Sequence, residues 1–581
     1  MAMLPMLRGI VEEARAAGEV KARSPVLVIT GNPPYERTGH NANEASDRQL
    51  ESFYQLEGVR LPDRNTGPLR DDYLRFIRWS TWKLLEQPGS PGHGVLAFVT
   101  NRAFIERPLH RGVRRFLLER FDEINVFDLH GDQREWFTDR TDEKVFRDVQ
   151  AGIAVTVFIK RPGASQGLAT VRYREKFGTR EEKLLATQQG SLDDPEWQTL
   201  EPHRPLWLFV PYDVPVAYDT WPSAAQLFPR RVTGVQTHRD SLVVAATEEE
   251  LRRRLERFAD PVVPDSEWID QGIETNRDWN LQAAREMLQE DGPRRMMRWA
   301  YRPFDLRYIA FDERLIDYTR TAVSPHLLDH ESTNLALAFA YGSLPDGPYA
   351  FVSRTPVPAA LLSWRTFGQA HFAPLHLREE LSGGWHPNLP PGLLDRLAGL
   401  GIEATPEAVL HYVYAVLNAP AYRARFAHGL RYDFPRVPIA RDPEVFADLA
   451  RCGGRLVALH LLEDPSLEQR APMMEGDDRG ELAPAPQYDP LAQSVALGPD
   501  LSAHPVSAAA WAYQQGAYRP LRDFLVTRAG RALHPTEFDD FRRMVAAVTA
   551  TLDLLPEIDG HVATAGQSAI RLEELGLSQR V

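Results

Sequence analysis

Asn32-Pro33-Pro34-Tyr35 is the stretch of this chain whose residue types, in this order, can do chemistry. The two prolines stiffen the turn and remove two backbone donors. What faces a ligand is then acceptors, the Asn32 side-chain oxygen and the Pro33 carbonyl, with the flat ring of Tyr35 beside them. This set suits an exocyclic amino group on a planar base. Two acceptors take its two N–H protons, and the ring stacks on the base face. Accepting both protons raises electron density on the nitrogen and holds its lone pair toward an electrophile, so no general base of shifted pKa is needed at the start. A base handled this way must first leave the duplex stack.

Several elements must position that turn. Val26–Thr30 reads as a short buried strand ending where the motif begins, and in α/β sheets ligands collect beyond the carboxyl ends of strands. Asp71–Glu86 has helical spacing, with Tyr73, Phe76, Ile77, Leu84 and Leu85 near one face. Gly94–Thr100 reads as a strand, Leu109–Glu119 as a helix, and Glu123–Leu129 and Gly152–Lys160 as strands. Near-continuous apolar strands alternating with helices predict a mainly parallel sheet covered on both faces. Arg161–Thr170 (RPGASQGLAT) then reads as a linker, and the βα rhythm stops. Ser382–Gly392 and Glu475–Pro490 read as exposed loops. Asp539–Leu554 reads as a helix with Phe541, Met544, Val545, Val548 and Thr551 on one side.

The 581 residues, 43% hydrophobic and 25% charged, have an ordinary globular composition. The length suggests several domains or a large two-part enzyme. The longest apolar runs, such as Val95–Val99 and Leu456–Leu462, are too short to span a bilayer, and the first twenty residues lack a signal-peptide pattern. No membrane association and a cytoplasmic location are therefore expected. Cys452 is the single cysteine, which excludes an internal disulfide and a Cys-based zinc cluster; no metal is expected. The net charge of −13 argues against coating nucleic acid through bulk charge. Only six of the 67 basic residues are lysine, none after Lys183. Arginine suits bidentate contacts to phosphate and guanine, although enrichment in Arg, Ala and Pro is also what a GC-rich genome produces.

Asn-Pro-Pro-Tyr after an apolar strand resembles the catalytic motif of the amino-group DNA methyltransferases, chiefly the adenine-N6 enzymes. The later order matches as well: Gly94–Asn101, the helix with Leu109, Val113 and Leu117, Ile124–Gly131 and Val149–Lys160. Further on, Gly234–Asp240 (GVQTHRD), Trp299–Arg307 (WAYRPFDLR), Leu430–Pro438 (LRYDFPRVP) and Val506–Arg528 resemble the C-terminal specificity region of Type ISP and related single-chain restriction-modification enzymes. The resemblance covers most of residues 20–560. It implies an α/β fold, with a partial Rossmann-like methyltransferase sheet in 1–165 and a large α+β target-recognition region in 166–581, divisible around a loop near 475–490. It implies methyl transfer from S-adenosylmethionine to adenine N6 of a flipped base in double-stranded DNA, with Asn32, Pro33, Pro34 and Tyr35 as the catalytic residues. Arg239, Arg302, Arg307 and Arg320 are the candidate DNA-binding residues.

The departures from the family matter equally. It binds S-adenosylmethionine with a Gly-rich turn and an acid, both before the catalytic motif. The 31 residues before Asn32 contain no Gly-x-Gly, and Gly89–Gly94 (GSPGHG) follows the motif. No Gly-Lys dipeptide exists, so there is no phosphate-binding loop. Asp142-Glu-Lys144 and Glu181-Glu-Lys183 carry only the tail of a nuclease signature. The resemblance thus implies a further N-terminal methyltransferase/helicase–nuclease half or partner chain, and it leaves Val26–Thr30 as an exposed edge strand. Two alternatives stand beside the adenine-N6 reading: a non-catalytic DNA-recognition subunit without cofactor, and a cytosine-N4 methyltransferase. His326 and His330 have the spacing of a helical metal pair but lack a third ligand. His371, His376, Trp299, Tyr301 and Phe304 are expected to pack. Asp433-Phe-Pro-Arg436 is expected to form a rigid turn.

Overall fold

The computed structural model describes residues 11–16, 18–19, 25–35, 43–63, 65–132, 141–163, 167–328, 333–342, 350–363, 369–379, 383–476, 485–498 and 500–578. The chain is mixed α/β and divides into two compact units, the first running to Asp213 and the second spanning Val214–Ser578.

The first unit is built on one six-stranded sheet. Its strands are β1 (Val28–Gly31), β2 (Gly94–Asn101), β3 (Glu123–Asp128), β4 (Ile153–Lys160), β5 (Thr170–Glu175) and β6 (Gln198–Leu200), in the order β1-β2-β4-β3-β5-β6. The helix expected over Asp71–Glu86 is α1 (Asp72–Thr81), continued by a wider turn at Trp82–Glu86. The next is α2 (Arg111–Arg120). β1 and β2 run parallel, with Val28 opposite Val95 and Gly31 opposite Phe98. Gly94 makes that approach possible. Its φ is +145°, and a Cβ there would lie 2.4 Å from the Leu27 carbonyl oxygen, which accepts from the Val95 amide at 2.8 Å.

The expectation of a mainly parallel sheet is corrected at β4. This strand returns between β2 and β3 and pairs antiparallel with both. The described residues of its connection, 129–132 and 141–152, contain no helix, whereas a parallel return needs a crossover of a dozen or more residues, usually helical. The supposed linker leads straight into β5, parallel to β3, and then through α3 (Arg180–Gln189) to β6, antiparallel to β5. The sheet therefore continues past the 165–166 boundary read from the sequence.

In the second unit, α4 (Glu248–Ala259) and α5 (Leu281–Asp291) pack with the hairpin β7 (Met296–Arg302) and β8 (Asp305–Ala310) around Trp268, Phe258 and Trp299. β9 (Ala336–Phe339) pairs antiparallel with both β10 (Ala350–Ser353) and β11 (His371–Pro374). The largest core joins α6 (Pro406–Asn418), α7 (Pro443–His460) and α8 (Pro535–Ala565). Gly453 lets α7 approach α6: a Cβ there would lie 1.9 Å from the His411 carbonyl oxygen. Phe541, Met544, Val545, Val548 and Thr551 of α8 are all buried, as their spacing required. Both segments read as loops flank strands instead. Trp385–Pro387 pairs with His376–Arg378, and Met473–Gly476 and Gln487–Asp489 belong to one four-stranded sheet.

A buried ion network ties the β7–β8 turn to the start of α8. Arg528 donates to Asp305 at 2.7 Å and to Glu537 at 2.6 Å, while Arg531 donates to Glu537 at 2.7 Å. Glu537 pays a burial cost, but its two arginines and the His534 amide hold it down to about 2 from an ordinary 4.5. A depressed carboxylate pKa contributes stability that is present above the unfolded value and lost as pH falls toward the folded one. Glu537→Gln is therefore expected to lower the urea midpoint at neutral pH and to flatten the decline between pH 4.5 and about 2. Parallel acid-dependence curves for the two proteins would refute this role.

Candidate functional site

The Asn32–Tyr35 turn sits at the carboxyl end of β1, where β2, β3 and β5 also end. Pro33 is buried, Asn32 and Pro34 are exposed and Tyr35 is half-buried. The Tyr35 hydroxyl donates to Asn32 Oδ1 at 2.7 Å, with the Val99 carbonyl as a second acceptor at 3.3 Å. Burial pushes the phenol well above its ordinary pKa, so it stays a donor. Its ring lies against Phe146, with centroids 6.0 Å apart and planes at 51°. The sequence reading missed Phe146. The only signal was an aromatic residue on the connection into β4, at the same end of the sheet.

The loop bearing Phe146 is fixed from below. Lys183 of α3 is fully buried and donates to Asp142 at 2.5 Å and to the Glu143 carbonyl at 2.6 Å. Asp142 also accepts from the Gly131 amide at 2.8 Å, just past β3. The two acid–acid–lysine stretches thus meet, and they meet as a structural pair. Beside them Arg102 clamps Asp128, donating from Nε at 2.9 Å and from Nη2 at 2.8 Å, and reaches Glu106 at 2.8 Å. Asp128 is desolvated, but Arg102 and its other donors outweigh that and hold its carboxyl far below the usual range. His130, at φ +49°, stacks on Phe177 at 3.8 Å and meets Glu175 at 3.0 Å. This network fastens the ends of β2, β3 and β5 together.

For the implied cofactor, the described residues do not fit. Among them no Gly-rich turn follows a strand before β1, and Gly94 is used in bringing β1 to β2.

In the second unit three of the four candidate arginines gather about the loop 234–240. Arg320 donates from Nε to the Gly234 carbonyl at 2.9 Å. Arg239 pairs with Asp317 and lies over Trp279 at 4.0 Å. Arg302 lies over Tyr301 at 4.0 Å and Tyr518 at 5.3 Å. Arg307 also lies over Tyr301, at 4.2 Å, and is bound to Asp305 at 2.8 Å. Trp299 and Phe304 are buried in the core. Arg436, in the stretch read only as a turn, donates to the Trp221 carbonyl at 2.9 Å and lies 3.6 Å from Asp219. His330 lies outside the described residues; His326 accepts from the Arg378 amide at 3.1 Å. His371 packs against Phe434, and burial lowers it to about 4. His376 lies 3.6 Å from Glu407. Cys452, Glu557 and His561 bring ligand atoms within 4.8 Å of one another, but Arg451 already binds Glu557 at 2.9 Å, and its charge opposes a cation there.

The family model of the Type ISP C-terminal specificity domain matches residues 226–555, and the chain belongs to that family. The fold is shared with solved restriction-modification enzymes. The ATP-dependent Type ISP enzyme LlaBIII bound to DNA matches over 92% of this chain and 37% of that one, at 19% identity and a TM-score of 0.64. The DrdV–DNA complex covers 92% and 57%, at 22% and 0.62. A nuclease-deletion mutant of the Type ISP enzyme LlaGI with a DNA substrate mimic covers 92% and 44%, at 19% and 0.62. The chain thus spans between about a third and somewhat over half of these proteins. A search of curated proteins finds no match. Among the described residues no helix is long and apolar enough to cross a membrane.

The Lys183–Asp142 pair is expected to be costly to break, because removing one partner leaves a buried charge, typically about 3–5 kcal/mol. Lys183→Met should lower the stability of the first unit by that order, and adding Asp142→Asn should recover part of the loss. Chemical denaturation decides: a single variant melting like the parent would show that the pair does not fix the loop.

Proposed function

We propose that this chain is the target-base and sequence-recognition part of an adenine-N6 DNA methyltransferase in a Type ISP-like restriction-modification system. The observation that carries the reading is the acceptor turn Asn32–Tyr35 at the carboxyl end of β1. The order β1-β2-β4-β3, with β4 reversed between strands of the other direction, supports the view that this sheet is part of a Rossmann-like methyltransferase domain. The DNA-bound relatives support duplex DNA as the partner, and the family match supports recognition by the second unit.

The geometry suggests how the chain would act. Tyr35 occupies Asn32 Oδ1, so an incoming amino group displaces that hydroxyl, which keeps Val99 as an acceptor. Asn32 Oδ1 and the Pro33 carbonyl then take the two amine protons, and the extruded base lies against Tyr35 and Phe146. A cytosine amine would satisfy the same acceptors, so the base is separated by product analysis. The missing fit for the cofactor specifically favours a second reading, in which the chain recognises DNA without transferring methyl groups.

The test uses the chain joined or complemented with a cofactor-binding half. Asn32→Ala is expected to lower methyl transfer about 10²–10³-fold and leave DNA affinity unchanged. Tyr35→Ala should weaken capture of the flipped base by roughly 1–3 kcal/mol, and Tyr35→Phe should act more mildly. Near-normal transfer by Asn32→Ala refutes the site; no transfer by any complemented form favours the recognition-only reading.

A further inference from the structure

A cavity of about 400 Å³ in the second unit is lined by Gln236, Asp240, Trp299, Arg302, Ser363 and Gln369 among others. Its volume falls within the roughly 300–1,000 Å³ of small-molecule sites. Resting on the recognition reading above, we propose that this cavity receives one unpaired base of the bound DNA, with Arg302 selecting guanine.

Three observations converge. The first is that Arg302 has its charge to spare. Its Nη1 donates to the Tyr301 carbonyl at 2.7 Å, and among the described residues no carboxylate forms an ion pair with it. Arg239 and Arg307, in contrast, are already committed to Asp317 and Asp305. The second is that the guanidinium is held in place. It lies over the rings of Tyr301 and Tyr518, and each ring is anchored at its far end. The Tyr301 hydroxyl donates to Asp240 at 2.9 Å, and that of Tyr518 to the Ala360 carbonyl at 2.7 Å. A guanidinium held between two rings, with N–H groups beyond the one given to the Tyr301 carbonyl, matches the paired acceptors O6 and N7 of guanine.

The third observation is that the cavity also presents a carboxylate. Asp240 accepts from Thr237 and Tyr301 and lines the same cavity as Arg302. An entering phosphate would meet that charge. A neutral base has no such conflict, and it brings ring and exocyclic N–H donors that Asp240 and the amides of Gln236 and Gln369 can accept. The pairing-edge donors among these are free only when the base is unpaired, which suits an extruded base more than a groove edge. Backbone bonds at 3.2 and 3.1 Å between Gln236 and Tyr318 hold the wall in place.

The experiment selects binding sites for the full 581-residue chain from a randomised duplex DNA pool, then repeats the selection with Arg302→Ala and Arg302→Gln, each checked by thermal melting. The parent is expected to prefer guanine at one position that Arg302→Ala loses while keeping the others, with affinity for the selected site falling about ten- to a hundredfold. Arg302→Gln should shift that position toward adenine, which glutamine pairs with. An abasic residue opposite the guanine should tighten binding by the parent several-fold, since unpairing is then free, and leave Arg302→Ala unaffected. Uniform weakening across all sequences, with a smaller salt dependence, would mark a phosphate contact and overturn the proposal, as would an unchanged selection or an abasic residue without effect. A parent that selects no sequence would refute the recognition reading itself, and the cavity assignment with it.

Discussion

A buried guanidinium carries up to five N–H donors that have lost water and favour protein acceptors, and in both units of this protein arginines that meet this need brace several segments at once. Arg114, completely buried in the first unit, shows it most plainly. It donates to the carbonyls of Leu206, Phe104 and Arg107 at 2.5 to 3.0 Å and so ties residues 104–107 to a segment a hundred positions away. Burial, aided by nearby Arg111, lowers it to about 9, yet the carbonyl cage keeps its donors occupied. Arg285 does the same between Asp265 and the carbonyls of Asp260 and Val263. A planar fork makes several directed bonds at once and loses little freedom per bond, so one arginine can brace three segments.

The same requirement separates the bracing arginines from those free for other work. Arg102 spends its donors on Asp128 and Glu106 and thereby holds the carboxyl ends of β2 and β3 in register beside the acceptor turn. Arg528 spends its own on Asp305 and Glu537 and fixes the β7–β8 turn. With these corners rigid, Arg302 at the end of β7 can keep an unneutralised charge facing a cavity.

Much of the first unit was legible in the sequence. Its strands are apolar runs bounded by breakers, and β1 to β4 fall where those runs fall. Strand direction leaves no mark in such a run, which is why the reversal of β4 was missed. β5 (TVRYRE) and β6 (QTL) are short and polar, and only the pairing of β5 with β3, and of β6 with β5, makes them strands. The Asn32–Tyr35 turn was legible as a turn after an apolar strand, because both signals lie in consecutive residues. Phe146, Lys183 with Asp142, and the Arg436 contacts were not, since each joins residues distant in sequence. The second unit was the least readable. Its strands are mostly three or four residues long, too short for a period of two to stand out.

β1 has a single neighbour among the described residues, and Leu27 and Val28 beside the open edge are 51% and 58% exposed. Half of its peptide groups have a partner strand, and little apolar area is buried with them. Such an element opens at a free energy below that of the global unfolding of its domain, so its amides exchange with solvent deuterium ahead of those of β2 or β4. The Asn32–Tyr35 turn thus follows a strand that is an edge of its sheet among the described residues. Its geometry is consequently governed by the Tyr35 ring, held on Val99 and Phe146, more than by the backbone ladder leading into it.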